Sequence, residues 1–395
     1  MTPRTERSLG AFYFTYFLAA GAFFPFFSLF LEYRGLGPAA IGELLAVTTL
    51  AKLVAPYLWG AIADARGRRL DVVRMACVAA TVAFSALYFV EGFWLIAIAM
   101  VVYSFFWNAC LPQVEAMTLH ALGSDTHRYT RIRIWGSVGF IVAVLGVGAL
   151  LERAPISVLP LVVVAIMALV CIVAVAMREP PATAVGESAP GNLREVLTRP
   201  SVVALFVACF LMQASHGAYY GFFALYLSRA GYSEVLIGAL WALGVVAEVL
   251  IFWLMPKLLK RWGAGLLFVG CFVLTTLRWF MLGYFVDWFA VVVVAQAMHA
   301  ASYGVHHAVA ILLIHRAFHT NLRGRGQALY SSLTYAAGTA VGSLISGYVW
   351  EAFGARHAFT VAAAMSAIGM GVAFVLATGA AHRWLFRDEA EVAAS

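Results

Sequence analysis

Apolar runs bounded by charge, glycine or proline follow one another along the whole chain. They predict helices near 11–31, 40–61, 72–90, 93–116, 134–151, 156–177, 201–227, 235–256, 265–286, 288–315, 328–350 and 358–379. Each is close to the roughly 20 apolar residues that a helix needs to cross a bilayer. The stretch from Met1 to Arg7 is basic and runs into an apolar segment too long for a signal-peptide core, without a small-residue cleavage site, so it is expected to stay as the first span. The longest break, Arg178 to Pro200, carries Pro180, Pro181, Gly186, Pro190 and Gly191 and follows the sixth span, as a linker would. The expected organisation is a first six-helix half over 1–177, a cytoplasmic linker over 178–200 and a second six-helix half with a short tail over 201–395.

Composition removes the soluble alternative. Hydrophobic residues make up 63% of the chain and charged ones 11%, where a soluble protein carries roughly a quarter. A mean hydropathy of +0.89 leaves too little polar surface to cover a globule. The net charge of +7 suits either a nucleic-acid partner or the basic cytoplasmic loops of a membrane protein, and its distribution decides. With the N-terminus inside, most of the 26 basic residues fall in cytoplasmic segments, among them Arg66, Arg68, Arg69, Arg74, Arg128, Arg131, Lys257, Lys260, Arg323 and Arg325. The other side holds Arg34, Arg153, Arg229 and Arg356, while Lys52 and Arg278 lie inside spans. That bias predicts a bacterial-type inner-membrane protein with both termini cytoplasmic, and it explains the charge without nucleic acid.

Cys77, Cys110, Cys171, Cys209 and Cys271 lie in apolar stretches without CxxC spacing or clustered histidine, so neither a disulfide framework nor a metal site is expected. No Walker loop, His-Glu-x-x-His or nucleophile elbow occurs, so neither an enzyme nor a cofactor is expected.

An internal repeat is legible. Gly21-Ala22-Phe23-Phe24-Pro25-Phe26-Phe27-Ser28-Leu29-Phe30-Leu31 lies against Gly217-Ala218-Tyr219-Tyr220-Gly221-Phe222-Phe223-Ala224-Leu225-Tyr226-Leu227, and the same offset pairs Ile41-Gly42 with Ile237-Gly238 and Gly67 with Gly263. Two like-oriented halves are the mark of transporters with a midplane site between halves that rock. The offset also superposes Lys52 on Glu248, two charges that would be expensive against lipid.

After the second span the chain reads Gly60-Ala61-Ile62-Ala63-Asp64-Ala65-Arg66-Gly67-Arg68-Arg69, which resembles the Gly-x-x-x-Asp-x-x-Gly-Arg-Arg signature of the major facilitator superfamily. Gly67 supplies a tight turn, and Asp64 accepts hydrogen bonds from a neighbouring helix end or arginine, a latch that can break as halves move. Gly60, Asp64, Gly67 and Arg68 are therefore candidate gating residues. The alternative for the arginines is that they only enforce topology.

Further colinear stretches resemble the phenylpropionate permease group, related to lactose permease and other proton symporters. They are Tyr13-Phe14-Thr15-Tyr16-Phe17, Tyr129 to Ser137, His216-Gly217-Ala218-Tyr219-Tyr220-Gly221-Phe222, Leu243 to Val249 and Leu277-Arg278-Trp279. The resemblance implies an all-α polytopic protein with twelve transmembrane helices in two pseudo-symmetric six-helix halves, the major facilitator fold, working as a monomer. It also implies that Glu115 and Arg133 hold substrate and that Glu248, Arg278 and His299 bind substrate and couple protons. Where lactose permease has a second acid one turn after the span-10 histidine, this chain has Ser302.

Each intramembrane polar residue has a bland alternative. Glu248 precedes Val249-Leu250-Ile251-Phe252 and is expected to exchange a proton at working pH, or else to be paired permanently with Arg278 or Lys52. His299, Ser302 and His306 recur at i, i+3 and i+7 and should share one face of their helix. Their separation along the helix forbids the two histidines from clasping one metal ion. Lys52 needs an anion and, with Arg133 and Arg278, suits a carboxylate, while Phe23, Phe24, Trp107, Tyr219, Tyr220 and Trp241 are candidates to pack an aromatic ring, and His216, directly before Gly217-Ala218-Tyr219-Tyr220, is a candidate to face the cavity. Most other aromatics are packing or interface anchors. Pro25 and Pro112 are expected to bend their helices.

The leading expectation is secondary active uptake of a small organic anion, an aromatic carboxylate such as 3-phenylpropionate, with protons. Symport of a neutral sugar or nucleoside is the alternative. Drug efflux is disfavoured because the fifth span lacks the Gly-Pro of antiporters.

Overall fold

The computed structural model describes residues 3–123, 125–179, 193–318, 322–379 and 382–386. Among these, every regular element is helical. Ten helices are long and apolar enough to cross a membrane: Arg4–Tyr33, Pro38–Arg66, Arg69–Tyr88, Phe93–Leu122, His127–Leu151, Ile156–Ala176, Pro200–Arg229, Glu234–Tyr284, Phe289–Ala317 and Ala355–Thr378. The run Glu234–Tyr284 is 51 residues long and breaks at Gly263, where φ is 68° and ψ 161°, so it holds two spans end to end. A further column, Arg323–Tyr330, Ser331–Ala336 and Ala337–Phe353, is rich in glycine, serine and threonine and therefore less apolar. With these, the described residues form twelve spans, numbered 1 to 12 below in chain order. Span 8 covers 234–262, span 9 covers 264–284 and span 11 covers 323–353.

Local sequence explains the boundaries. Pro38 opens span 2 after Gly37, where its missing N–H costs no helical bond. Gly67 closes it in the left-handed conformation, φ 63°, and its N–H returns to Asp64 O at 3.3 Å. Asp125 caps span 5 by accepting from Arg128 N at 3.0 Å. Pro25 does more than bend the first span, because the helix stops at Phe23 and restarts at Phe27. Pro112 stays inside the unbroken helix Phe93–Leu122. Of the expected linker, 180–192, with all five of its marker prolines and glycines, lies outside the described residues. Leu193–Leu197 is a short helix leading to span 7.

The chain forms two compact units. The first is Met1–Gly186 with Gly221–Ala242, and the second is Glu187–Tyr220 with Leu243–Ser395. In the first, the stretch 221–242 is fastened to the early spans. Arg229 Nη2 meets Glu32 Oε1 at 2.5 Å, Glu152 accepts from Val235 N at 3.4 Å, and Gly238 lies on the Val144 carbonyl.

The sequence repeat has a structural meaning in each unit. Gly21 of span 1 packs on the Phe140 carbonyl and Ala143 of span 5, and Gly217 of span 7 packs on the Gly342 and Ser343 backbone of span 11. At both places a Cβ would strike main chain, so only glycine permits the approach. Gly67 and Gly263, the other matched pair, end spans 2 and 8 with φ values of 63° and 68°.

Candidate functional site

In the first unit, Lys52 sits mid-way along span 2, half-buried, with its Nζ 5.4 Å from the centre of the Phe24 ring. Among the described residues no carboxylate lies within ion-pair distance of it. A cation over an aromatic face is attracted by the ring quadrupole, but its charge is not cancelled. Spans 4 and 5 bring Glu115 and Arg133 together, Oε1 to Nε at 3.4 Å, each about one-third exposed at 33% and 35%. The Arg133 guanidinium lies over two rings of span 1, 5.3 Å from Tyr13 and 4.6 Å from Phe17. The three-to-four-residue recurrence of Tyr13, Tyr16 and Phe17 places them on one side of span 1, where Tyr16 stacks on Trp107 at 4.2 Å and 6°. The result is a half-open acid and base pair on an aromatic floor.

At the end of span 2, Asp64 pairs with the Arg69 guanidinium, whose Nη1 also donates to Gln113 Oε1 of span 4 at 2.7 Å. Glu179 accepts from the Arg69 backbone N–H at 2.7 Å, covering the open N-terminus of span 3. Arg68, the arginine expected in the latch, instead meets Asp71 at 2.8 Å and is 71% exposed. Because Gly67 turns the chain, the next side chain but one faces back to Asp64. Gly60 lies beside Gln113, whose Nε2 would stand 3.8 Å from an added Cβ, an ordinary contact.

In the second unit, Arg278 of span 9 is fully buried. Its Nε donates to Ala295 O at 2.8 Å, Nη1 to Ser302 Oγ at 2.8 Å and Nη2 to Gln296 Oε1 at 2.9 Å. Nη1 also lies 3.1 Å from His299 Nδ1, and the ion is flanked by the Tyr219 and Trp279 rings at 4.4 and 4.5 Å. A guanidinium only donates, so His299 Nδ1 accepts and the ring proton is on Nε2. That nitrogen faces Glu248 Oε2 of span 8 at 3.7 Å. Gln296 passes the network on, donating to Tyr219 OH at 3.1 Å.

His216 is 1% exposed and its Nδ1 donates to Met212 O at 2.8 Å, which leaves Nε2 as a buried acceptor without a partner among the described residues. Its ring lies 5.0 Å from Trp279, 5.7 Å from Tyr220 and 6.4 Å from His299. The candidates His216, Tyr219, Tyr220, Glu248, Arg278 and His299 thus form one cluster in this unit.

The expected face of His299, Ser302 and His306 is only partly realised. Residues Ala300–Val305 form a π-turn, whose wider ring delays the helical rotation by one residue. His299, Tyr303 and His307 therefore stack in a column, at 5.5 Å and 14° and then 5.9 Å and 9°. His306 is turned away against Phe268 and Phe272, at 6.0 and 5.8 Å. Ser302 keeps its place beside His299 on Arg278. A second π-turn, Ser331–Ala336 in span 11, presents Tyr335, whose OH lies 2.8 Å from His307 Nδ1. Gln113, Gln296 and Tyr303 are the neighbours that spacing alone did not single out, and Arg69, whose role the signature left open between latch and topology, is the arginine that meets Asp64.

A protein-family model described as the MFS_1 like family matches residues 7–361. This chain belongs to that family. It is 30% identical over 366 residues to the "Probable 3-phenylpropionic acid transporter" of Escherichia coli strain K12, covering 90% of this chain and 93% of the relative. It is 27% identical to the maltose permease of Geobacillus stearothermophilus, covering 93% of each. Among solved structures, a point mutant of the nucleoside transporter NupG superposes with a TM-score of 0.85 at 16% identity, over 94% of this chain and 99% of that one. The fold is the all-α fold of major facilitator transporters, and the chain is an integral membrane transporter of small molecules rather than an enzyme.

Proposed function

We propose that this transporter imports a small aromatic carboxylate, of the 3-phenylpropionate class, together with protons and by alternating access. It works as a monomer in a bacterial-type inner membrane with both termini cytoplasmic. The observation that carries the reading is Lys52, a half-buried cation inside a span whose neighbour is an aromatic face and not an acid. A charge held in such a place is costly unless something completes it, and intramembrane ionisable residues mark substrate and ion pathways. An aryl carboxylate brings both the anion for the ammonium and a ring for the aromatic surroundings. The relative described as a 3-phenylpropionic acid transporter supports the same class.

In this reading Glu115 and Arg133 help to hold substrate in the first unit. His216, with its open Nε2 acceptor, and Tyr219 and Tyr220 line the path in the second. Glu248 exchanges the proton, while Arg278 and His299 set its surroundings. The contact of Asp64 with Arg69, which also holds Gln113, on the turn made by Gly67 and beside Gly60, is the latch. Arg68 contributes through Asp71.

Symport of a neutral sugar or nucleoside is the second reading. It is favoured by the half-open Glu115 and Arg133 pair, which offers acceptor and donor to hydroxyl groups at one point, and by the maltose permease relative.

Lys52→Gln separates the two. It should weaken binding of 3-phenylpropionate to the purified protein by about tenfold or more, the scale of one lost charge-assisted bond, and leave 3-phenylpropanamide unchanged. An equal loss for acid and amide contradicts the carboxylate assignment.

A further inference from the structure

A groove of about 660 Å³ runs along the N-terminal half of span 7 beside span 11, lined by Leu197, Val203, Val207, Phe210, Leu333 and Ala337. No charged or amide side chain contributes to it. Val203, Val207 and Leu333 are 48%, 43% and 47% exposed, so the groove opens on the outer surface of the second unit, which a membrane protein presents to lipid. Its lining offers no side-chain polarity, so a hydrocarbon chain is the occupant that fits.

What stands at the end of the groove makes the occupant specific. Spans 7 and 11 run in the same direction, with Gly338 on the Phe210 carbonyl and Gly342 on that of Ala214. Followed back along both helices at about 1.5 Å per residue, this register brings Arg325 to roughly one turn from the start of span 7 at Pro200, which Arg199 directly precedes. Arg194 is on the short helix Leu193–Leu197, which is fixed in place by Val196, buried in the core of the second unit. Arg323 begins span 11 and spends its Nε on His315 O at 3.1 Å. Among the described residues the acid in this group is Glu195, which takes one N–H of Arg199 at 3.0 Å. Arg194 and Arg325 are exposed, and Arg199 is 38% exposed. An apolar groove thus ends at a headgroup-level cluster of arginines with net positive charge.

We propose that this groove is a binding site for an anionic phospholipid of the surrounding bilayer. One acyl chain lies along Val203, Val207 and Phe210 against Leu333 and Ala337, and the phosphate sits between Arg199 and Arg325. Guanidinium forks match phosphate oxygens in pairs, and basic side chains at the membrane surface favour anionic headgroups. The site lies within one unit and does not depend on what the transporter carries.

The test is native mass spectrometry of the full-length protein titrated with phosphatidylglycerol and phosphatidylcholine of identical acyl chains. The wild type should retain one phosphatidylglycerol with an affinity about tenfold above phosphatidylcholine. Arg199→Gln with Arg325→Gln should reduce phosphatidylglycerol to the phosphatidylcholine level. Val207→Trp, which fills the groove at a lipid-exposed position and leaves the arginines in place, should remove the retained lipid. Unchanged thermal unfolding of both variants excludes misfolding as the cause. Equal retention of the two lipids by the wild type, or a preference that survives both variants, overturns the proposal.

Discussion

Arg278 donates to a carbonyl, an amide oxygen, a hydroxyl and an imidazole nitrogen, and none of these four carries a negative charge. Its hold on His299 Nδ1 has a chemical consequence for the neighbouring acid. For His299 to take up a proton it would have to release Arg278, whereas Glu248, 22% exposed at its side chain, faces an N–H and gains or loses a proton without breaking that network. Glu248→Gln should therefore reduce gradient-driven uptake to the level of empty vesicles while leaving counterflow exchange of substrate intact, both read with labelled substrate. Driven uptake equal to the wild type would remove Glu248 from coupling. Charges inside apolar runs are costly and so conspicuous, and for that reason Lys52, Glu115, Glu248 and Arg278 were legible in the sequence. Gln113, Gln296 and Tyr303 were not. A neutral polar residue in a span is common, and its importance here comes from a partner far along the chain, as with Gln296 and Arg278, which only folding brings near.

At the scale of helices, apolar length located every span, because it reports the thickness of hydrocarbon that each must cross. It says less about ends, since helices continue into polar flanks. The first span starts before the predicted 11, and span 2 runs on to Arg66. It says nothing of the two π-turns, which depend on packing and redirect His306 and Tyr335. The repeat did pick out Gly21 and Gly217, both of which lie against main chain, Gly217 on Gly342. A Cβ on Gly342 would press into the backbone of Ala214, while Gly371 of span 12 has open space around it. Overpacking of this kind costs about 1–3 kcal/mol, so Gly342→Ala should lower the unfolding temperature of the purified protein and Gly371→Ala should not. If both variants unfold together with the wild type, the close approach of spans 7 and 11 is not what Gly342 provides.

For the whole molecule, each compact unit supplies a different half of the proposed chemistry. The first holds an uncancelled ammonium over an aromatic face and a half-open Glu115 and Arg133 pair. The second holds a buried guanidinium, a tautomer-locked histidine and an acid that faces it. Membership of a transporter family gives these sites a task, since a carrier must bind its cargo and tie that binding to an energy source. Coupling requires that proton and substrate binding each change the affinity for the other. The most direct measurement is uptake of labelled 3-phenylpropionate into proteoliposomes with an acidic exterior, with and without a protonophore, and with maltose and a nucleoside as competitors. Proton-coupled import of an aromatic carboxylate predicts accumulation that the protonophore abolishes and that neither competitor reduces. Accumulation indifferent to the protonophore, or none in vesicles that contain folded protein, would contradict it.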